Sequence, residues 1–254
     1  MPVKALLNLV RRAPPRAEQV PEGVRVYAVG DIHGRLDLLD SLLASIDEDD
    51  RARGGAVETR CIFLGDLIDR GPDSCGVVQR LLDISKSGAN VRFLMGNHEQ
   101  VFLRAVEGDR RALRFLVRIG GRETLLSYGI SEEDYRTLDF DALAERAAEL
   151  VPAAHLEFLG GFEDWIEVGD YLFVHAGVRP GLAIGDQAQS DLYWIRDDFL
   201  THRDSFGHMV VHGHSITEEV DLRSNRIGID TGAFATGRLT AIGLEGEERW
   251  FLST

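Results

Sequence analysis

The stretch VRVYAVGDIHG at residues 24–34 takes a short apolar run directly into a turn that carries an aspartate and a histidine. Two later stretches repeat this arrangement, CIFLGDLIDRG at 61–71 and RFLMGNHE at 92–99. Apolar runs of this length that alternate with helical patterns predict a βαβαβ unit with parallel strands and right-handed crossovers. Because parallel strands end at one edge of a sheet, the polar residues that follow each run are expected to converge there.

The remaining periodicity predicts an α/β chain with a helical insertion. In the first hundred residues it predicts strands at 24–29, 60–64 and 91–95, with helices at 36–46, 73–84 and from residue 98 onward. Between about 100 and 160, Arg, Glu, Ala and Leu dominate, which indicates a helical insertion with helices near 109–118 and 141–150. The last third predicts a hairpin of strands 165–168 and 171–174, a helix at 190–200, and an antiparallel group of strands at 209–211, 226–229, 239–244 and 249–252.

Composition excludes several classes of protein. The 254 residues include 28 Lys plus Arg against 42 Asp plus Glu, a formal net charge of −14, so no nucleic-acid partner is expected. No apolar run approaches the roughly 18 residues of a membrane helix. Residues 1–23 are expected to form a tail without a cleavage signal, before a single domain at 24–254 in a cytoplasmic protein. Two cysteines are too few for a disulfide framework, and the oligomeric state is left open.

Two further apolar runs stop at histidines, in YLFVHAG at 171–177 and MVVHGH at 209–214. Imidazoles combined with carboxylates, without a thiolate, suit Mn, Fe or Zn. A single catalytic zinc needs about three protein ligands, and this chain offers more: Asp31, His33, Asp66, Asn97, His175 and His212. Two divalent ions beside two aspartates leave a local charge of about +2, which favours a phosphate dianion in an otherwise acidic chain.

The motifs GDIHG, GDLIDRG, GNHE, HAG and HGH, which occur in this order after residue 24, resemble those of a protein family. They are similar to the phosphoprotein phosphatase branch of the calcineurin-like metallophosphoesterases, in its bacterial and phage-like form. The resemblance implies a two-sheet β-sandwich flanked by helices, with two divalent metal ions at the sheet edge, Mn ahead of Fe or Zn. By motif, the first ion takes Asp31 and His33, both ions share Asp66, and the second takes Asn97, His175 and His212.

The resemblance also implies how catalysis is divided among residues. His98 would act as general acid with Asp69 orienting its ring, and the metals would activate water for direct attack, without a covalent phosphoenzyme. Arg70, Arg196 and Asn97 would contact the substrate phosphate, with paired guanidinium N–H groups matching its oxygens.

Two assignments are less direct. Arg196 is included because the segment WIR at 194–196 is similar to a tryptophan and arginine segment of bacterial and phage-like members. His214 of the last motif and Asp230 in a later loop also lie in suggestive positions, and we interpret both as structural residues or as partners of the ligands.

Two functions compete at this level. A serine/threonine protein phosphatase is favoured by Asp69 in the second motif and by Glu99 in GNHE, because dinucleotide hydrolases tend to lack that aspartate and carry GNHD. The alternative is a symmetrical bis(5'-nucleosyl)-tetraphosphatase, that is, a diadenosine tetraphosphate hydrolase. The partner is accordingly a phosphorylated protein or a small phosphorylated substrate. A non-catalytic scaffold is disfavoured, because no residue of the ligand set is missing.

Overall fold

The first three motifs belong to one sheet of five strands. The structure, a computed structural model, describes residues 17–254. The strands of this sheet are β1 Val24–Val29, β2 Glu58–Phe63, β3 Val91–Phe93, β9 Thr240–Glu245 and β10 Glu248–Ser253. Their order is β10-β9-β1-β2-β3. As predicted, β1, β2 and β3 are parallel, so their carboxyl ends meet at one edge.

A second sheet has the order β4-β5-β6-β8-β7 and carries the later motifs. Its strands are β4 Trp165–Val168, β5 Tyr171–Val174, β6 Met209–His212, β7 Asp221–Leu222 and β8 Arg226–Gly228. The predicted hairpin of β4 and β5 is confirmed, but the prediction of an antiparallel C-terminal group is wrong for β6, which runs parallel to both β5 and β8. The connection between β5 and β6 contains helices, and such a crossover returns the chain in the same direction.

Helices cover the sheets and fill the insertion. They are α1 Leu36–Arg53, α2 Ser74–Lys86, α3 Asn97–Val106, α4 Arg110–Ile119, α5 Gly121–Ser127, α6 Glu132–Thr137, α7 Phe140–Leu150, α8 Ala153–Gly160, α9 Gln189–Trp194, α10 Asp197–Leu200 and α11 Ala233–Thr236. The run from α3 to α8 between β3 and β4 is the expected helical insertion. One helix was predicted at 190–200, which is wrong because Arg196, with φ −132° and ψ −94°, interrupts it.

The two sheets pack face to face around a shared apolar layer. Val26 of β1 faces Phe173 of β5 and Val211 of β6 in one buried cluster. Because side chains alternate along a strand, Tyr27 points the other way and packs with Leu39 of α1. The two-sheet sandwich flanked by helices, implied by the resemblance, is therefore confirmed.

The described part of the N-terminal segment packs on the domain. Val20 is buried and its backbone N–H donates to the Gly246 carbonyl at 3.0 Å. Residues 1–16 of the predicted tail lie outside the described residues, and its boundary at residue 23 stays a prediction. Within residues 17–254, every helix is too short or too polar to cross a membrane.

Candidate metal centre and active site

The motif loops of both sheets meet at one edge of the sandwich and bury a set of polar residues. The set comprises Asp31, His33, Asp66, Asp69, Asn97, His98, His175, His212, His214 and Asp230. Buried charged and imidazole groups at this density require pairing or a bound cation. The sequence prediction that these loops converge is met by the fold.

Two groups of potential ligand atoms share Asp66. His33, Asp66 and His98 form one group, and Asp66, His175 and His214 form the other. Within each group the ligand atoms lie within 4.8 Å of one another. This arrangement, with one carboxylate common to two imidazole groups, is suited to two adjacent divalent cations.

Backbone carbonyls orient two of the imidazoles toward Asp66. Nδ1 of His33 contacts the Ile68 carbonyl at 2.7 Å, and Nδ1 of His175 contacts the Leu64 carbonyl at 2.8 Å. When each Nδ1 donates, each Nε2 keeps a lone pair, which is the form a metal ligand needs. Nε2 of His175 also lies 3.0 Å from Oδ1 of Asn97. Burial lowers the pKa of His33 well below its usual value, so the neutral ligand form is favoured.

Asp31 adds a second carboxylate to the same edge. Its oxygens accept the backbone N–H of His214 at 3.0 and 3.2 Å. Burial, followed by the nearby carboxylates of Asp230 and Asp66, raises the pKa of Asp31 well above its usual value. Burial also raises the pKa of Asp230 to about 6. Carboxylates held this close repel one another until a cation neutralises them.

The last motif supplies a different histidine from the one expected. His212 ends β6 and packs its ring edge-on against Phe199 at 5.0 Å, outside both ligand groups. His214 joins the second group, whereas Nε2 is buried without a hydrogen-bond partner in both histidines. Membership of the ligand group therefore favours His214 over the expected His212, and the choice of ligand is a proposal. A side chain at Gly213 would start 2.0 Å from Asp31, so glycine permits this close approach.

Backbone strain marks the same residues. In the described range, the non-glycine residues with positive φ are His33, Asp66, Asp69, Arg70 and His214, at 47° to 72°. This conformation costs about 1–2 kcal/mol per non-glycine residue and concentrates at functional sites. All five residues belong to the motif loops, and His214 is among them while His212 is not.

A hydrogen-bonded pair of His98 and Asp69 lies beside the ligand groups. Nδ1 of His98 is 2.5 Å from Oδ2 of Asp69. Burial acts to lower the pKa of His98, but the carboxylates of Asp66 and Asp69 outweigh it and the pKa is raised. Thr124 of α5 donates to Oδ1 of Asp69 at 2.6 Å and accepts the Asp69 N–H at 2.8 Å. The insertion thus helps to fix Asp69, a role that nothing in the sequence pattern signals.

Two arginines contact the two ends of the cluster. The Arg70 guanidinium donates to Nε2 of His33 and to Nε2 of His98, both at 3.0 Å. Its backbone N–H donates to the Gly120 carbonyl at 2.9 Å, which ties it to the insertion. Arg196 is exposed at the rim and lies 3.4 Å from the carbonyl of His214.

Glu99, which sequence reasoning treated as a marker of substrate type, has a local structural role. Its buried carboxylate accepts backbone N–H groups of Asp66 and Leu67 at 2.8 Å and of Gly96 at 3.2 Å. It therefore holds the second motif loop against the third. This explains the glutamate of GNHE without reference to substrate.

The family follows from a comparison with known families. The model of the calcineurin-like phosphoesterases matches residues 24–230, which include all the motif loops. The chain is a calcineurin-like phosphoesterase. Hydrolases of this family depend on metal ions, and the residues at the sheet edge fit that requirement. The buried Nε2 of His214, in the second ligand group, and the buried Oδ2 of Asp230, near Asp31, both lack a hydrogen-bond partner, which a bound cation would supply.

Curated relatives of this phosphoesterase are named for dinucleotide hydrolysis. The symmetrical bis(5'-nucleosyl)-tetraphosphatase of Acidovorax sp. (strain JS42) is 34% identical over 156 residues, covering 61% of this chain and 44% of that protein. The chain therefore matches less than half the length of that relative. The symmetrical enzyme of Neisseria gonorrhoeae (strain NCCP11945) is 26% identical over 269 aligned positions, covering 87% of this chain and 93% of that protein.

Solved structures share the fold at lower identity. A putative diadenosine tetraphosphatase has a TM-score of 0.62 at 22% identity, covering 94% of this chain and 98% of that chain. A serine/threonine phosphatase from Saccharomyces cerevisiae has a TM-score of 0.52 at 14% identity, covering 94% and 84%. Both kinds of enzyme thus share this architecture.

Proposed function

We propose that this phosphoesterase hydrolyses dinucleoside tetraphosphates symmetrically, with two divalent cations at the sheet edge. The observation that carries the chemistry is the pair of buried ligand groups that share Asp66, beside His98, Asp69 and Arg70. The substrate class is supported by the names of the curated relatives. Dinucleoside tetraphosphate hydrolysis therefore replaces protein dephosphorylation as our leading hypothesis.

The features that favoured a protein phosphatase do not bear on the substrate. Glu99 binds backbone N–H groups between two motif loops, and Asp69 binds the imidazole of His98. Both contacts serve the site itself, whatever group leaves the phosphorus. Asp69 and Glu99 therefore do not discriminate between a phosphoprotein and a dinucleotide as substrate.

In this proposal the donors divide into two sets around Asp66. Asp31 and His33 would hold one ion, Asn97, His175 and His214 would hold the other, and Asp66 would serve both. Mn is the first metal to test, since imidazole and carboxylate donors suit it, with Fe and Zn as alternatives. The bound ions supply Lewis acidity and lower the pKa of water.

The protein side chains would position the phosphates and move the proton. His98, held by Asp69, would donate a proton to the leaving oxygen. Arg70 exchanges its contacts with His33 and His98 for phosphate oxygens, which are stronger, charged acceptors. Arg196 approaches from the opposite group, beside His214. Arginines at both ends suit a polyphosphate, which carries phosphates on both sides of the bond that breaks.

The test compares substrates and products with one Mn-loaded sample. Diadenosine tetraphosphate should be turned over with a higher kcat/KM than phosphoserine or phosphotyrosine peptides, and chromatography should find ADP as the sole nucleotide product. ATP plus AMP would indicate asymmetric cleavage, and preference for a phosphopeptide would return the protein phosphatase to first place. A chelated sample serves as the control and should be inactive on every substrate.

A further inference from the structure

A groove of about 710 Å³ opens beside Arg70, on the His33 side of the proposed metal centre. Its lining includes Arg35, Asp37, Asp40, Arg70 and Phe234. The volume lies within the range of small-molecule sites. Because the groove begins at a proposed phosphate-binding arginine, a substrate held at the metals can extend into it.

Phe234 gives this groove an aromatic wall next to the site. Its half-buried ring stands edge-on to His33, with centroids 5.4 Å apart, and the Arg70 guanidinium carbon lies 4.9 Å from its centre. The backbone beside the ring is anchored, because Arg35 donates to the Ala233 carbonyl at 3.0 Å. Phe234 therefore lies at the junction between His33, Arg70 and the groove.

The charges of the groove disfavour a second phosphate there. The Arg35 guanidinium is already engaged by both carboxylate oxygens of Asp37, at 2.6 and 2.8 Å. Asp40 faces the same groove and is bound to Arg80 at 2.8 Å. Beyond Arg70, the groove thus offers no uncommitted cation among these lining residues. An uncharged aromatic ring fits this combination of an aromatic wall and paired charges better than an anion does.

We propose that this groove binds a nucleobase of the substrate, stacked on Phe234. The inference rests on the proposed function, since it names the subsite for one nucleoside of a dinucleoside tetraphosphate. Stacking of a base on an aromatic side chain is sequence-tolerant, because every base has a π-face. The subsite would therefore accept different bases and discriminate against substrates that have none.

The test measures a specificity ratio, kcat/KM for diadenosine tetraphosphate divided by kcat/KM for p-nitrophenyl phosphate, which lacks a base. Phe234→Leu should lower this ratio about tenfold or more, within the range known for loss of base stacking. Phe234→Trp should keep it near the wild-type value. Phe251→Leu is the matched control, because Phe251 is also partly exposed (38%) but lies on the edge strand β10.

Inhibition gives a second measurement. ADP should inhibit p-nitrophenyl phosphate hydrolysis less strongly in Phe234→Leu than in the wild type, whereas inhibition by pyrophosphate should change much less. Equal losses on both substrates would mean that Phe234 only supports His33 and Arg70, and would overturn the subsite. If the wild type hydrolyses diadenosine tetraphosphate but Phe234→Leu leaves the specificity ratio unchanged, the subsite is overturned and the proposed function is not. Failure of the wild type to hydrolyse that dinucleotide would overturn the proposed function together with the subsite.

Discussion

The imidazole of His98 is held at both ring nitrogens, by Asp69 at Nδ1 and by Arg70 at Nε2. When phosphate oxygens draw Arg70 away, Nε2 is free to carry the proton that the leaving group needs. His98→Asn should therefore lower kcat about 100-fold or more for an alkyl phosphate, whose alkoxide must be protonated. The loss should be much smaller for p-nitrophenyl phosphate, whose phenolate leaves unaided. Steady-state kinetics on both esters check this, with His208→Asn as control, and equal losses would exclude the acid role.

The two histidines of the last motif allow a matched pair of variants. His214→Gln should weaken Mn binding by at least the 10- to 100-fold typical of losing an outer partner of a metal ligand. His212→Gln should leave Mn affinity within a few-fold of wild type, because its ring packs on Phe199. Isothermal titration calorimetry on the chelated proteins measures both affinities. A large loss in His212→Gln with none in His214→Gln would restore the original assignment.

The identity of the ligand in HGH could not be read from the sequence. Both histidines follow an apolar run, and either ring could be expected at the sheet edge. The choice depends on backbone geometry after β6 ends, where His214 takes a φ of 62° and its N–H binds Asp31. Asp31 lies 183 positions away, so the contact is tertiary and has no local signature.

At the scale of elements, α5 of the insertion supports the proposed catalytic pair of His98 and Asp69 through Thr124. Thr124→Val removes the hydroxyl bound to Asp69 while nearly preserving side-chain volume, so His98 loses part of its orientation. We expect kcat for an alkyl phosphate to fall roughly tenfold, equivalent to about 1.4 kcal/mol of transition-state stabilisation. Activity assays on the folded variant measure this. Thr137→Val is the control, because it loses only an exposed hydrogen bond within α6. Identical kcat values in the two variants would mean that the Thr124 hydroxyl does not contribute to catalysis.

The C-terminal half of α1 is tied to the first sheet by Asp49. Its Oδ2 accepts from the buried Tyr27 hydroxyl at 2.6 Å and from Nε1 of Trp250 at 2.8 Å. Burial acts to raise the pKa of Asp49, but these bonds and that of Arg53 outweigh it and lower the pKa. The ionised carboxylate therefore stabilises the fold above the unfolded pKa of about 3.9, and this stabilisation is lost as pH falls through the lower folded pKa.

Asp49→Asn tests this linkage. At pH 7 we expect its free energy of unfolding to be about 1–2 kcal/mol below that of the wild type, because hydrogen bonds to a charged acceptor become neutral ones. The difference should shrink as pH is lowered through the titration range of Asp49. Urea unfolding at several pH values measures it. A difference that stays constant down to pH 2.5 would contradict the electrostatic explanation.

Predictability from sequence differed between elements for identifiable reasons. The bounds of β1 were predicted correctly because a run that is apolar apart from Arg25 meets Gly30. The predicted helix at 36–46 continues to Arg53 as α1, because its last turns are polar and carry charge pairs such as Arg53 with Asp49. A prediction based on the spacing of apolar residues therefore misses these polar helical turns.

At the scale of the whole molecule, the proposed metal centre joins the two sheets. Asp31 and Asp66 follow β1 and β2 of the first sheet, whereas His175 and His214 follow β5 and β6 of the second. Cations shared by these residues would cross-link the sandwich at its edge and relieve the repulsion between buried carboxylates. Metal binding should therefore stabilise the entire fold, since the donors come together only in the folded chain.

Calorimetry of the chelated and Mn-loaded protein tests this coupling. At a free Mn concentration 100 times its dissociation constant, binding adds about 2.7 kcal/mol to the free energy of unfolding. For a chain of this size that corresponds to a rise in Tm of about 5–10 °C. At the same Mn concentration the rise in Tm should be clearly smaller in His214→Gln, which loses a proposed donor from the second sheet. In the control His208→Gln it should equal the wild-type rise. Equal Tm values with and without Mn would mean that Mn does not bind the folded chain, because any ligand that binds only the folded state raises Tm.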